Sequence, residues 1–386
     1  NLLNSPNALD PGGLNLEEVE SNRSQARIRN IQYDASEKVK QYKFGLNLTS
    51  IIRKLQLTNS IYYNQRLFDG KLPFGSGGII DLKRAFWGYN LNLNIQGYLN
   101  YDIGLSYNNQ GDDRKRFYND NGIKTNQVMG QKENYENISL YFFGSRSVDK
   151  LNFSAGARFE QNTISVDNYF KSVDDKTKKI SSFNPSINIL YELDGIDLFA
   201  NISSGYETPT LNELSATVDQ SGFNDNLKTI KSNTFEIGIA NFKKDYIINY
   251  SLRIFNIITK NEITPYETSS GLVLYNNAGK TIKSGLELEL NAQIFNEFSL
   301  DYNLSVGKYK FDSFMSIDDD YSNNFIPGIP RSHQNIKINY NNENNFNLIV
   351  GLKRTGRMFA DNSNKTQIDG YNSISIKMSK NLKLFE

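Results

Sequence analysis

The stretch Ser284-Gly285-Leu286-Glu287-Leu288-Glu289-Leu290-Asn291-Ala292-Gln293-Ile294-Phe295 alternates without a break. Leu286, Leu288, Leu290, Ala292 and Ile294 fall on one face of an extended chain, and Glu287, Glu289, Asn291 and Gln293 fall on the other. One face is apolar and the other wet, as in a strand that separates hydrocarbon from water. The same period returns at Tyr89, Leu91, Leu93 and Ile95 against Asn90, Asn92, Asn94 and Gln96. It returns again at Leu151, Phe153, Ala155, Ala157 and Phe159 against Asn152, Ser154, Arg158 and Glu160.

Worked outward from there, the pattern predicts fifteen strands, at residues 41–52, 55–69, 85–99, 102–109, 134–147, 151–164, 182–193, 196–207, 230–241, 246–264, 271–294, 298–312, 333–341, 346–358 and 368–379. Their connections alternate in length. Tight turns rich in Asn, Asp, Gly and Lys fall at 53–54, 100–101, 148–150, 194–195, 242–245, 295–297 and 342–345. Long polar segments fall between them, at 70–84, 110–133, 165–181, 208–229, 265–270, 313–332 and 359–367. A sandwich or propeller mixes short and long loops, whereas an antiparallel membrane barrel puts every short turn on one rim and every long loop on the other. The fold class expected is therefore all-β, a transmembrane antiparallel β-barrel. Fifteen is an odd number and such bacterial barrels normally close on an even one. The expectation is an incomplete barrel over residues 41–386, with residues 1–40 an external loop segment. Within that segment Asn15 is placed to cap a short helix through Leu16, Glu17, Glu18 and Val19, an irregular loop being the alternative.

Composition narrows the function. The 386 residues carry 43 basic and 42 acidic side chains, so no basic field points to nucleic acid. No run approaches the eighteen apolar residues of a spanning helix, but in a barrel only alternate residues face lipid, which hides the membrane segment from average hydropathy. The 23 Tyr and 24 Phe suit interfacial girdles, and Trp87, beside Phe86 and Tyr89, reads as a girdle residue. The absence of cysteine excludes disulfides, thiolate metal sites and a cysteine nucleophile. With His333 the single histidine, a histidine metal centre lacks its usual ligands and a Ser-His-Asp triad would have to use that residue. His333 follows Pro330-Arg331-Ser332 where a strand begins, the setting of a surface or interfacial side chain. The reading is of a protein that is not an enzyme, with no metal site and no cofactor.

Four motifs then carry a resemblance. Tyr206-Glu207-Thr208-Pro209-Thr210-Leu211-Asn212-Glu213-Leu214 leaves a strand for a long loop and resembles a segment of TonB-dependent outer-membrane receptors. Tyr275-Asn276-Asn277-Ala278-Gly279-Lys280, followed by Gly285-Leu286-Glu287-Leu288, is similar to the aromatic-Asn-x-x-x-Lys and Gly-x-Glu-Leu strand of the same family. Asp10-Pro11-Gly12-Gly13-Leu14 with Arg29-Asn30 resembles an external loop of its ferric-siderophore branch, and Ile326-Pro327-Gly328-Ile329-Pro330 resembles the proline-marked start of a late strand. Their order and spacing span nearly the whole chain.

The motif residues Tyr206, Thr208, Pro209, Leu211, Glu213, Leu214, Asn276, Gly285 and Glu287 read first as structural. Pro209 cannot donate to a ladder and biases Thr208 toward extended backbone. Gly285 inside a strand suggests a bend, a bulge or the close approach of another backbone, which in this family would be the plug.

The resemblance implies a 22-strand barrel occluded by an N-terminal plug, located in the outer membrane of a Gram-negative bacterium. It further implies import of a ferric siderophore or similar iron chelate. Energy would come from the TonB-ExbB-ExbD complex through an N-terminal region that this chain lacks. Outer-membrane lipid and lipopolysaccharide would surround it. Ligand capture would then fall to Arg114, Arg116, Phe117 and Tyr118 in the segment 110–133, guanidinium groups gripping anionic oxygens and rings packing on the organic shell. The alternative is a charged loop that binds lipopolysaccharide phosphates or solvates the rim. A passive porin and a glycan-binding extracellular β-protein are the rival readings of the whole chain.

Overall fold

The computed structural model describes residues 2–380, apart from 171–174, 215–216, 218–222, 242–246, 269–271, 316–318 and 343–345. The turn expected at 242–245 and most of that at 342–345 lie outside the described residues. In chain order the strands are β1 Leu2–Leu9, β2 Ser36–Ile52, β3 Leu55–Lys71, β4 Ile79–Ile95, β5 Asn100–Asp120, β6 Ile123–Val148 and β7 Leu151–Asn168. Then follow β8 Lys176–Glu192, β9 Asp197–Glu207, β10 Ile230–Asn241, β11 Ile248–Lys260, β12 Ile263–Glu267 and β13 Val273–Asn277. The last are β14 Lys280–Phe295, β15 Phe298–Ser313, β16 Ser332–Asn341, β17 Phe346–Thr355, β18 Met358–Phe359, β19 Gln367–Ile368 and β20 Tyr371–Lys380.

Sixteen of these form one sheet in which each strand pairs antiparallel with the next in sequence. The pairs β12–β13 and β18–β19 stand apart as small hairpins. Among the described residues β1 and β20 are the sheet's two edges.

The alternation seen in sequence becomes two faces. Across the ladder Leu140, Phe159 and Phe183 stand in one row, 54%, 47% and 66% exposed, and Ile187, Ile202 and Phe235 in another. A row-by-row apolar band this broad is untenable in water and is the surface that meets hydrocarbon. The opposite face carries Asn188, Asn201 and Glu236 along one row. Trp87 lies on the outward face with its ring 5.1 Å from Tyr107.

Short turns keep to one rim. Arg53 (φ 56°), Asp149 (φ 52°) and Gly195 (φ 85°) take the left-handed backbone that lets two or three residues reverse a twisted ladder. The other rim holds the long connections, the hairpins β12–β13 and β18–β19, and the N-terminal segment.

That segment is more ordered than a loop. Leu2↔Tyr42 to Leu9↔Ser36 pairs β1 with β2, which adds a sixteenth strand to the fifteen expected. The helix α1 Leu16–Asn22 follows, and Asn15 caps it: Asn15 Oδ1 accepts from the Glu18 amide at 2.9 Å while the Asn15 amide donates to Glu18 Oε2 at 2.8 Å. A second short helix, α2, spans Ile28–Gln32. Asn30 then donates to the Asp10 carboxylate at 3.1 Å, and Gly12 at φ +71° passes directly over it.

The largest departure is at 110–133, expected as a loop. It is instead the outer half of β5 and β6, paired from Arg114↔Gln131 to Asp120↔Ile123 around Asn121-Gly122 at φ 48° and 89°. Asn-Gly is the residue pair that a two-residue hairpin turn with positive φ favours. The fully buried Asn119 ties this hairpin down, donating to the carbonyls of Tyr33 (3.0 Å) and Leu72 (3.1 Å) and accepting from the Gly122 amide (2.7 Å).

At Gly285 the bulge among the three expected readings is absent, and the backbone that comes close is the Val306 carbonyl of the adjacent strand. No bulge interrupts the ladder there, which runs continuously through Phe255↔Gly285↔Gly307. The room left by the missing side chain is filled by the ring of Phe255. Gly88 under Tyr62, Gly104 under Tyr141 and Gly238 under Phe199 repeat the device, each glycine directly opposite its aromatic residue.

Candidate functional site

The alternation of β5 turns Asp112, Arg114 and Arg116 toward the inward face, opposite Glu133, Gln131 and Met129 of β6. These residues lie in the outer half of a strand of which about ten residues suffice to cross a bilayer, so they belong to the mouth above the membrane. Asp112, Arg114, Gln131 and Glu133 are all buried there. Such a group needs complete pairing, since an unpartnered buried charge is costly. Arg84 Nε and Nη2 donate to the two Asp112 oxygens at 2.8 and 2.6 Å. Arg114 Nε and Nη2 donate to the two Glu133 oxygens at 2.8 and 3.1 Å, and Gln131 adds a third bond to Glu133 at 2.8 Å. Both are the two-pronged guanidinium–carboxylate geometry.

Arg114 also reaches across the mouth, its Nη1 donating to Asn212 Oδ1 at 3.2 Å. Asn212 lies in α3 Leu211–Leu214, one turn of helix at the start of the loop 208–229. Thr210 and Glu213 cap it reciprocally: the Thr210 amide donates to Glu213 Oε2 at 2.7 Å and the Glu213 amide to Thr210 Oγ1 at 3.2 Å. Pro209, Leu211 and Leu214 are buried. With Phe223 and Leu227 they close over the inward-facing Ile164 and Val166 of β7 and Ile180 of β8, flanked by Tyr135, Tyr206, Ile263 and Tyr275. The described residues of the loop therefore fold back into the mouth of the sheet.

Beneath it Tyr206 donates to Glu160 and accepts from Asn162 Nδ2 at 2.6 Å. Asn276 accepts from Thr264 across the β12–β13 hairpin at 2.8 Å. Deeper on the wall, Glu287 pairs with Arg253 at 2.9 Å. Tyr206, Pro209, Leu211, Glu213, Leu214, Asn276 and Glu287 thus make packing or bonding contacts at the mouth or wall, and Thr208 stands between the end of β9 and Pro209.

The four candidate ligand residues are not brought together. Arg114 is spent on Glu133 and Asn212. Arg116, on the same face, adds a third guanidinium to a cluster with two carboxylates. Its Nε is buried without a hydrogen-bond partner among the described residues, as is Gln131 Oε1. Burial first and the Arg114 charge second, opposed by Glu133, bring its pKa down to about 10. Phe117 lies under Lys124, whose Nζ stands 3.7 Å from the ring centre. Tyr118 is 44% exposed at the hairpin's tip and covers Gly75. Sequence reasoning missed Arg84, Asp112, Gln131, Glu133 and Asn212. The available signal was the pair of alternating charged runs, Asp112-x-Arg114-x-Arg116 and Gln131-x-Glu133.

Comparison with known proteins fits this geometry. Residues 3–385 match the family described as TonB dependent receptor-like, beta-barrel. The Ferrioxamine receptor of Yersinia enterocolitica is 24% identical over 252 residues, which cover 65% of this chain and 33% of that protein. The ferric yersiniabactin uptake receptor FyuA from Yersinia pestis superposes with a TM-score of 0.71 at 17% identity, over 90% of this chain and 54% of that one. The unliganded ferric citrate transporter FecA gives a TM-score of 0.79 at 17% identity, over 96% of this chain and 58% of that one. The chain thus spans a little over half the length of these two structural relatives and a third of the curated one. This is a family of receptors, not of enzymes, and it resides in the Gram-negative outer membrane. By its sheet, its two rims and a family match from residue 3 to residue 385, the chain belongs to the TonB-dependent receptor family and forms part of its β-barrel.

Proposed function

We propose that this barrel captures a ferric siderophore or similar iron chelate at its outer mouth and imports it with energy delivered by TonB, ExbB and ExbD. The observation that carries the reading is the loop 208–229 folded into the mouth and fastened there by Arg114 and its apolar core. A pore for passive diffusion gains nothing from a buried guanidinium–carboxylate network that fixes a loop over its opening. A receptor needs such a surface, because holding contact groups in place before binding removes the entropy of ordering them.

Arg116 is the group in this arrangement suited to an anionic chelate, with charge in excess of its neighbours and a bond still to make. Tyr118 at the tip, and Phe117 once Lys124 moves aside, would meet the ligand's organic shell. Arg114 positions the mouth and leaves the contact to Arg116. That a ferrioxamine receptor is among the relatives supports an iron chelate as cargo.

The test is growth of a strain deleted for the full-length gene on iron-poor medium supplied with single ferric siderophores, complemented by wild type or Arg116→Gln. Loss of growth on one chelate, restored by wild type and weakened in Arg116→Gln, is expected. Growth on every chelate without the gene sinks the reading.

A further inference from the structure

Arg66 of β3 stands on the inward face beside the mouth network and takes no part in it. It lies opposite Arg84 of β4, which lies opposite Asp112 of β5, so the three share one row of the wall. Arg84 is neutralised by Asp112, which it grips with two donors. Arg66 has no such partner. The guanidinium carbon of Arg66 lies 5.6 Å from the centre of the Phe68 ring, and its Nε is buried without a hydrogen bond among the described residues. Among those residues neither Arg66 nor Arg116 takes part in an ion pair. Both are half-buried, so each stays open on one side.

From the row of Arg66 up to that of Arg116, the inward face of β3–β6 carries Arg66, Arg84, Arg114 and Arg116 against Asp112 and Glu133. Two guanidinium groups are balanced and two are not. Like charges gathered without a counter-ion are an unfavourable arrangement unless an anion joins them. Spacing says what kind of anion. Arg116 lies opposite Ile80, four residues along β4 from Arg84, and β3 and β5 flank that strand. Two strand spacings and four residues of rise put the backbones of Arg66 and Arg116 about 16 Å apart. One carboxylate cannot bridge that span. A chelate with anionic groups on two sides can, each group meeting a guanidinium that still has donors to give. We infer that Arg66 is a second ligand contact, and that Arg66 and Arg116 together select ferric chelates carrying two or more negative charges over neutral and cationic ones. The inference rests on the reading of this barrel as a chelate receptor and adds the charge class of the cargo. The Arg84–Asp112 and Arg114–Glu133 pairs form the floor between the two contacts and bring no net charge to it.

The test measures equilibrium binding of radio-iron-labelled ferric citrate, ferric enterobactin, ferrichrome and ferrioxamine B to the full-length receptor. The first two complexes are polyanionic, ferrichrome is neutral and ferrioxamine B is cationic. Saturable binding of a polyanionic complex is expected, weakened at least about tenfold by Arg66→Gln, as the loss of a charge-assisted bond requires. Arg66→Lys keeps the charge and should lose less. Ferrichrome or ferrioxamine B binding as tightly as the polyanionic complexes overturns the inference while leaving the chelate reading standing. Unchanged binding in Arg66→Gln does the same, as does an equal loss in the lysine and glutamine variants, which would make Arg66 a packing residue. Binding of none of the four complexes counts against the chelate reading itself and takes the inference with it. Should Arg66→Gln not give a folded barrel, a salt series on wild type decides: polyanion binding that weakens as sodium chloride is raised supports the charge selection, and salt-independent binding removes it.

Discussion

The ring of Phe255 lies over Gly285, the residue directly opposite it on the next strand, so that a methyl group at position 285 would stand 2.8 Å from Phe255 Cζ and 2.6 Å from the Val306 carbonyl oxygen. Neither neighbour can yield freely, since one belongs to the ladder and the other packs on the wall. Gly285→Val should therefore destabilise the barrel by about 1–3 kcal/mol, the usual result of overpacking. Combining it with Phe255→Ala should restore part of that loss. Denaturant unfolding of the full-length receptor measures both, and an unchanged midpoint in the valine variant would contradict the packing.

The buried Arg114–Glu133 pair makes a sharper prediction, because its two halves are worth more together than apart. Arg114→Met alone, or Glu133→Leu alone, leaves one buried charge without its partner and should cost about 3–5 kcal/mol. The double change removes both charges and should cost clearly less than the sum. A double-mutant cycle on unfolding free energies reads this coupling, and simple additivity would show that the pair is not buried in the protein as it is here.

Leu214, in the helix that begins the loop 208–229, is fully buried. Leu214→Ala should weaken the docking of that loop by about 2–5 kcal/mol, as for other leucine truncations at buried sites. The barrel wall should be unaffected. Protease added to intact cells should cut within 208–229 faster in the variant than in wild type, whereas an equal cutting rate would mean that the loop is held by other contacts.

The loop 356–370 should respond to acid. The bond from the Ser363 hydroxyl to the Asp361 carboxylate is the main cause that brings its pKa down from an ordinary 3.8 to about 2; burial opposes it, and the amides of Thr366 and Lys365 add smaller lowering effects. A lowered folded pKa means stability that is fully present above the unfolded value and is lost as pH falls through the folded one. The loop should hold its form above pH 4 and loosen as pH falls toward 2. Hydrogen exchange at the Thr366 amide follows this, and Asp361→Asn should exchange fast at every pH. A wild-type exchange profile in that variant would rule the carboxylate out as the anchor.

How much of this was legible in the sequence depended on where each strand lies. The expected strand 230–241 coincides with β10, and 298–312 and 333–341 fall within a residue of β15 and β16. In the membrane one face is apolar, so the period of two is written in hydrophobicity. Above the membrane that contrast vanishes, because Asp112, Arg114 and Arg116 face inward while Asp113 and Lys115 face outward. Hydrophobic periodicity is blind to a strand with two polar faces, which is why the outer halves of β5 and β6 looked like a loop. The turn chemistry at Asn121-Gly122 was a local signal that opposed that reading.

The hairpin β12–β13 was hidden differently. Ile263 and Thr264 read as the end of one strand, Pro265 to Glu267 as part of a loop and Val273 to Asn277 as the start of the next strand, yet the two stretches pair with each other away from the main sheet. Local pattern identifies a strand without naming its partner. The mouth network was missed for a related reason: Arg114 and Asn212 are 98 residues apart and only the fold brings them together.

The glycines opposite Tyr62, Tyr141, Phe199 and Phe255 have a consequence for what can pass along the inside of the barrel. A ring laid across a glycine takes its space from the neighbouring strand and not from the bore. The clearance at each height is thus decided by which strand carries glycine and which an aromatic residue. Exchanging a glycine for a side chain would lift the facing ring off the wall and narrow the tube at that level, so four single positions act as gauges of its width.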